Sequence, residues 1–117
     1  MSITAISKLI AEDYIPQSDI DSDNPTKFRL RPLNGMQYME VMSELIRNDD
    51  GQLRISGKGM KMALQYGLIG WSNFRDEDGN ELKFNILNVE KIPPVILSEL
   101  ASEIISRSEI GEEERKN

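Results

Sequence analysis

Cysteine and histidine are both absent from the 117 residues. Without cysteine there are no disulfides, no thiolate nucleophiles and no Cys-based zinc sites. Without histidine the Ser-His and Cys-His nucleophile pairs and most transition-metal sites go too, leaving carboxylates, Lys, Tyr and Ser for any chemistry. Bases are outnumbered, 14 against 20 acids, and the formal net charge of −6 argues against a nucleic-acid binder held by counterion release, which needs a basic face. No window approaches the roughly 18 uninterrupted apolar residues of a membrane span. The N-terminus shows no basic region followed by an apolar run, so no signal peptide is read and a cytoplasmic location is the default expectation.

What remains is the material of one soluble domain. The apolar fraction is 38% and the charged fraction 29%, too apolar for full disorder. A chain of this length buries about two-thirds of its surface on folding. The periodicities predict an α+β fold, mainly α: a small single domain of about three to four helices with one β-hairpin and a short strand. Residues 1–25 read as a short amphipathic helix through Ile3, Ile6, Leu9 and Ile10, followed by an acidic loop. That loop, Glu12 to Asn24, holds five acids and no base, with Pro16 and Pro25 near its edges. Residues 26–110 read as the globular domain and 111–117 as a disordered polar tail.

Within the domain, Phe28 and Leu30 alternate with Lys27, Arg29 and Arg31 as in a half-buried strand, and Pro32 suits an edge position. Asn34 with Gln37 forms a capping-box pair, and Leu33 with Tyr38 is spaced as a staple, opening a helix over 34–47 with the stripe Tyr38, Val41, Met42 and Leu45. Asn48 to Gly51 signals a loop. Ser56 caps a helix over 57–69 whose face is Met60, Leu64, Leu68 and Trp71, with Gly67 marking its end or a close backbone approach. Asp78-Gly79-Asn80 predicts a hairpin that sets Phe74 opposite Phe84. Pro93-Pro94 opens the last helix, 94–107, with Leu97, Leu100, Ala101 and Ile104 inward and Glu103 to Arg107 as an i,i+4 pair. Trp71 is expected largely buried against Leu97 or Leu100.

Motifs that imitate chemistry have blander explanations. Asp19-x-Asp21-x-Asp23 starts like a calcium loop, but Asn24 replaces the sixth-position Gly and Leu30 the twelfth-position Glu, so a solvated acidic loop is preferred. Gly67-Leu68-Ile69-Gly70 has the form of an RNA-clamping GXXG loop, yet its centre is aliphatic and Trp71 follows. Ser56-Gly57-Lys58-Gly59 lacks the full phosphate-binding pattern. No catalytic residue, metal ligand or cofactor is assigned. The partner-binding candidates are Met39, Val41, Met42 and Leu45, because their helix offers more apolar surface than one face can hide and methionine suits adaptable surfaces.

Three stretches occur in order: FRLRPLNGMQYMEV, ALQYGLIGWSNFRDEDGNELKF and IPPVILSELASEIISRSEIGEEERKN. They comprise an R-P-L-N-G start to a helix, a G-L-x-G-W-x-N-F segment before a D-x-D-G turn, and a Pro-initiated helix with a Glu-rich tail ending in Lys-Asn. Their order and spacing over Thr26 to Asn117 resemble the tail assembly chaperones of long-tailed bacteriophages and prophages. The resemblance implies a non-enzymatic protein of the host cytoplasm. Its partners would be the tape-measure protein, which it keeps soluble, and the major tail-tube protein, whose subunits it helps recruit. It leaves homo-oligomerisation open. Lys116-Asn117 is compatible with part of a ribosomal slippery site, as in relatives made in two lengths. Two other classes stand beside this reading: a structural tail adaptor or completion subunit, and a small phage-encoded inhibitor of a host protein.

Overall fold

The computed structural model describes residues 2–109, so the expectations for Lys116-Asn117 and for a polar tail over 111–117 lie outside the described residues. Chain order is β1 (Glu12–Tyr14), a 3₁₀ turn (Gln17–Asp19), β2 (Lys27–Leu30), α1 (Gly35–Met42), β3 (Leu45–Arg47), β4 (Leu53–Ile55), α2 (Gly57–Gly67), β5 (Leu68–Ser72), α3 (Ile86–Val89) and α4 (Pro94–Glu109). One antiparallel sheet has the order β1-β2-β5, and β3 pairs with β4 in a second. The expected mainly helical fold with one hairpin and one strand is therefore corrected. The molecule is a small α+β domain, about 39% helix and 19% strand over its described residues, with five strands in two sheets.

The differences have local causes. Apolar spacing alone runs the first long helix on to Arg47, yet α1 stops at Met42. The Ser56 amide donates to the Glu44 carbonyl at 2.9 Å, which turns the chain out of the helix. Leu45-Ile46-Arg47 then pairs with Leu53-Arg54-Ile55, closed by the Asn48 amide on the Gln52 carbonyl at 2.7 Å. Strands of three residues are too short for periodicity to separate them from helix.

The next helix likewise ends at Gly67 rather than residue 69. The Arg31 amide takes the Gly67 carbonyl at 2.8 Å, and Leu68 is already extended. A Cβ on Gly67 would come within 2.5 Å of Ile104 Cγ2 and 2.9 Å of the Arg31 carbonyl oxygen. Glycine here both ends the helix and admits α4, so the predicted face divides: Met60 and Leu64 stay on α2, while Leu68 and Trp71 belong to β5.

β2 carries Phe28 and Leu30 inward as predicted, but it is the central strand, not an edge. Pro32 lies beyond the last paired residue, where its missing amide removes nothing from the ladder. β1 arises inside the stretch read as acidic loop, with Glu12 opposite Leu30 and Tyr14 opposite Phe28. The sheet thus includes residues that precede Thr26. Residues 2–11 form no helix, and Ile3 is 100% exposed; with nothing to pack on, a ten-residue amphipathic stretch does not repay helix nucleation.

The Asp78-Gly79 reversal exists without a hairpin ladder. The Asp76 carboxylate accepts from the Asp78 and Asn80 amides at 3.0 and 2.9 Å, Gly79 sits at φ 83, and the only ladder contact is a bridge between Arg75 and Glu81. Asn73 at φ 58 breaks the strand before the turn. The Leu82 amide meets the Phe74 carbonyl at 2.8 Å, so Phe74 faces Leu82 and not Phe84.

Phe84 instead meets Trp71 edge to face at 4.9 Å, and Trp71 also touches Phe28 and Phe74. Trp71 is half-buried rather than largely buried: it sits in this aromatic group against the core that contains Leu100, and donates its indole N–H to the Leu82 carbonyl at 2.8 Å. α4 forms as predicted, with Leu100, Ala101 and Ile104 fully buried among Phe28, Leu30, Val41, Ala63 and Leu68. The Glu103–Arg107 pair closes at 3.1 Å.

Candidate functional site

α1 begins at a complete capping box: the Asn34 carboxamide accepts from the Gln37 amide at 2.8 Å, and the Gln37 side chain accepts from the Asn34 amide at 3.0 Å. Two tyrosines then fix the helix's rotation. The Tyr38 hydroxyl donates to Glu109 on α4, and the Tyr66 hydroxyl of α2 donates to Glu40, each at 2.7 Å. Those hydrogen bonds, ahead of burial and carboxylate charge, raise both phenol pKa values above the usual tyrosine range. With Tyr38 and Glu40 turned to α4 and α2 and Val41 in the core, the remaining side of α1 faces outward.

That outward side carries Met36 and Met39, 77% and 67% exposed. Two residues past α1 the β3–β4 hairpin presents apolar residues of its own. Leu45, Leu53 and Ile55 alternate onto one face of the ladder, and Ile55 reaches α2, where it would meet a Cβ on Gly59. Leu45 and Leu53 overhang beyond it, both exposed. Residues 35–55 hold Glu40, Glu44, Asp49 and Asp50 against Arg47 and Arg54; Glu40 is turned to Tyr66, and Arg47 shares the ladder face of Leu45 and Leu53.

The four sequence candidates divide. Met39 is exposed as expected, and Leu45 is exposed but sits on a strand. Met42 is half-buried. Val41 is 0% exposed, so it belongs to the core and is removed as a partner-binding residue. Met36 and Leu53 were missed. Met36 lies three residues before Met39 and was readable from that spacing; Leu53 was hidden because its partner strand had been read as helix.

Other features offer less. Ile86, Leu87 and Val95 are exposed around α3 and the start of α4, next to Lys83, Glu90 and Lys91. A cleft of about 180 Å³ between Pro16, Thr26, Phe28, Phe74 and Ile96 is smaller than the roughly 300–1,000 Å³ of ordinary ligand pockets. Tyr14 donates to the Glu99 carboxylate beneath Arg107, and burial, then that hydrogen bond and charge, push its pKa up to about 12. Its partners fasten β1 to α4, a structural role. Among the described residues no group of three or more acidic side chains is placed to hold a metal ion, and no helix is long and apolar enough to cross a membrane.

No protein-family model matches the chain, and neither a curated protein nor a solved structure is detectably similar to it.

Proposed function

We propose that this protein is a non-enzymatic tail assembly chaperone of a long-tailed bacteriophage or prophage. In this reading it works in the host cytoplasm, masks apolar segments of the tape-measure protein and helps gather tail-tube subunits around it. The observation that carries the client-binding part is the outward Met36 and Met39 on a helix already anchored by Tyr38, Tyr66 and Val41. Methionine on a fixed helix offers an adaptable apolar surface that accepts helices of varied sequence. The chain's formal net charge of −6 adds charge that opposes aggregation of the complex. The ordered resemblance over Thr26 to Asn117 supplies the identity of the client.

Co-expression with the tape-measure protein of the same phage tests this reading. The client is expected in the soluble fraction only when this chain is present, and mass spectrometry of purified virions should find the chain absent or nearly so. Stoichiometric recovery from virions would favour a structural tail subunit instead.

A further inference from the structure

We propose that Asn34 is a site of spontaneous deamidation, and that its two products leave α1 in different states. Of the chain's asparagines, Asn34 alone is followed by glycine. In this reaction the backbone nitrogen of the next residue attacks the side-chain carbon, and a side chain on that residue crowds the cyclic imide that forms. Gly35 has none, and a Cβ built there would meet nothing within 4 Å. Both residues are exposed. The Gly35 amide opens α1, where it has no intrahelical acceptor. Among the described residues the Asn34 carboxamide is bonded through its oxygen, which accepts from the Gln37 amide at 2.8 Å. Nucleophile, reacting carbon and leaving amine thus lie open, and the cap holds the carboxamide in place. α1 has eight residues and Val41 as its one buried side chain, so opening of its first turn is a low-energy local excursion that frees the carboxamide to react.

When the turn opens, the Gly35 nitrogen gives its proton to water and bonds to Asn34 Cγ, and the Cγ–Nδ2 bond breaks with release of ammonia. Water then adds to one of the two imide carbonyls and breaks that carbon's bond to the ring nitrogen. Cleavage at Cγ leaves aspartate on an ordinary backbone. Cleavage at the Asn34 carbonyl carbon leaves isoaspartate, with the chain running through Cβ and Cγ. Aspartate caps a helix as well as asparagine does, and its charge suits a helix N-terminus. Isoaspartate lengthens the backbone by a carbon and takes the capping oxygen off the side chain, so the bond to the Gln37 amide is lost. One product keeps α1 capped; the other releases it. Asn85 caps α3 in the same way, accepting from the Asn88 amide at 2.8 Å, but Ile86 follows it and its branched side chain crowds the ring. Asn85 is therefore an internal control. This chemistry does not rest on the client reading.

The test holds the purified protein near neutral pH, folded and in denaturant, and weighs the peptides containing Asn34 and Asn85 over time. An isoaspartyl methyltransferase serves as the probe for the lengthened product. The mass gained when NH2 is replaced by OH should accumulate at Asn34 many-fold faster than at Asn85 in the folded protein. Gln37→Ala removes the reciprocal bond in which the Gln37 side chain accepts from the Asn34 amide at 3.0 Å. That variant should deamidate several-fold faster than the parent when folded and at the parent's rate in denaturant. The separated isoaspartyl form should melt below both the parent and Asn34→Asp protein. No gain at Asn34 in the folded protein while the denatured chain converts would overturn the proposal. So would equal rates at Asn34 and Asn85, an unchanged folded-state rate in Gln37→Ala, or an isoaspartyl form that melts with the aspartyl one.

Discussion

The two ends of this small domain use apolar residues in opposite ways. Around α4, α2 and the three-stranded sheet, Leu30, Ala63, Leu100, Ala101 and Ile104 have no exposed surface, and glycine at position 67 lets α4 approach the β2 backbone. Around α1 and the β3–β4 hairpin, one residue, Val41, is fully buried, while Met36, Met39, Leu45, Ile46 and Leu53 face outward. Position is therefore held at the first end and apolar surface displayed at the second. The Asn34 cap, the tyrosine hydrogen bonds and the single buried Val41 keep the displaying helix in place.

Substitutions separate the two ends by size of effect. Ile104→Ala should cost about 2–5 kcal/mol, the usual range for removing a fully buried aliphatic side chain, read as a lower denaturation midpoint. Gly67→Ala should cost roughly 1–3 kcal/mol by overpacking, because the new methyl meets the Arg31 carbonyl as well as the movable Ile104 side chain. Asn34→Ala at the displaying end should cost about 1 kcal/mol, the worth of an N-cap, with client binding weakened by fraying of α1. Met39→Glu should stay within about 0.5 kcal/mol of the parent, as for other exposed sites. A loss at Met39 as large as that at Ile104 would erase the distinction between the ends.

Alkaline titration probes the fastening of β1 to α4. Folding favours the protonated Tyr14 phenol, whose pKa rises from 10.0 to about 12. Its contribution is fully present below pH 10 and is lost as pH climbs from 10 to 12. Tyr14→Phe should flatten that part of the stability profile and leave neutral pH little changed. An unaltered profile would show that burial and the Glu99 contact together do not favour the protonated phenol.

The parts legible from sequence were those whose signals are local. The Asn34 and Ser56 caps, the alternation that buries Phe28 and Leu30, and the Pro-initiated α4 each depend on neighbours within one turn or one strand. The ends of α1 and α2 were not legible, because Leu45 continues the spacing of Tyr38 and Val41, and Leu68 continues that of Leu64. What stops those helices is tertiary: the Ser56 amide on Glu44 and the Arg31 amide on Gly67. Asp78-Gly79 announced a reversal correctly, yet the ladder depended on Asn73 upstream, a residue type that tolerates a positive φ without requiring one. For the candidate site, Met39 was readable as lying off the apolar stripe. Val41 was misplaced because spacing alone does not say which residue of a stripe the core takes: Val41 is fully buried while Leu45 stays exposed.

The central claim is that the face of Met36 and Met39 binds an apolar client, and paired charge substitutions test it most directly. Met39→Glu and Ile86→Glu each place one carboxylate on an exposed apolar residue, the first on α1 and the second on α3. Each variant would be co-expressed with the tape-measure protein and the soluble fraction of that client measured, with folding of the variant checked by its thermal midpoint. The account predicts that Met39→Glu loses most of the soluble client while Ile86→Glu retains it, both variants melting as the parent does. Full retention with Met39→Glu, or an equal loss with Ile86→Glu, would contradict it.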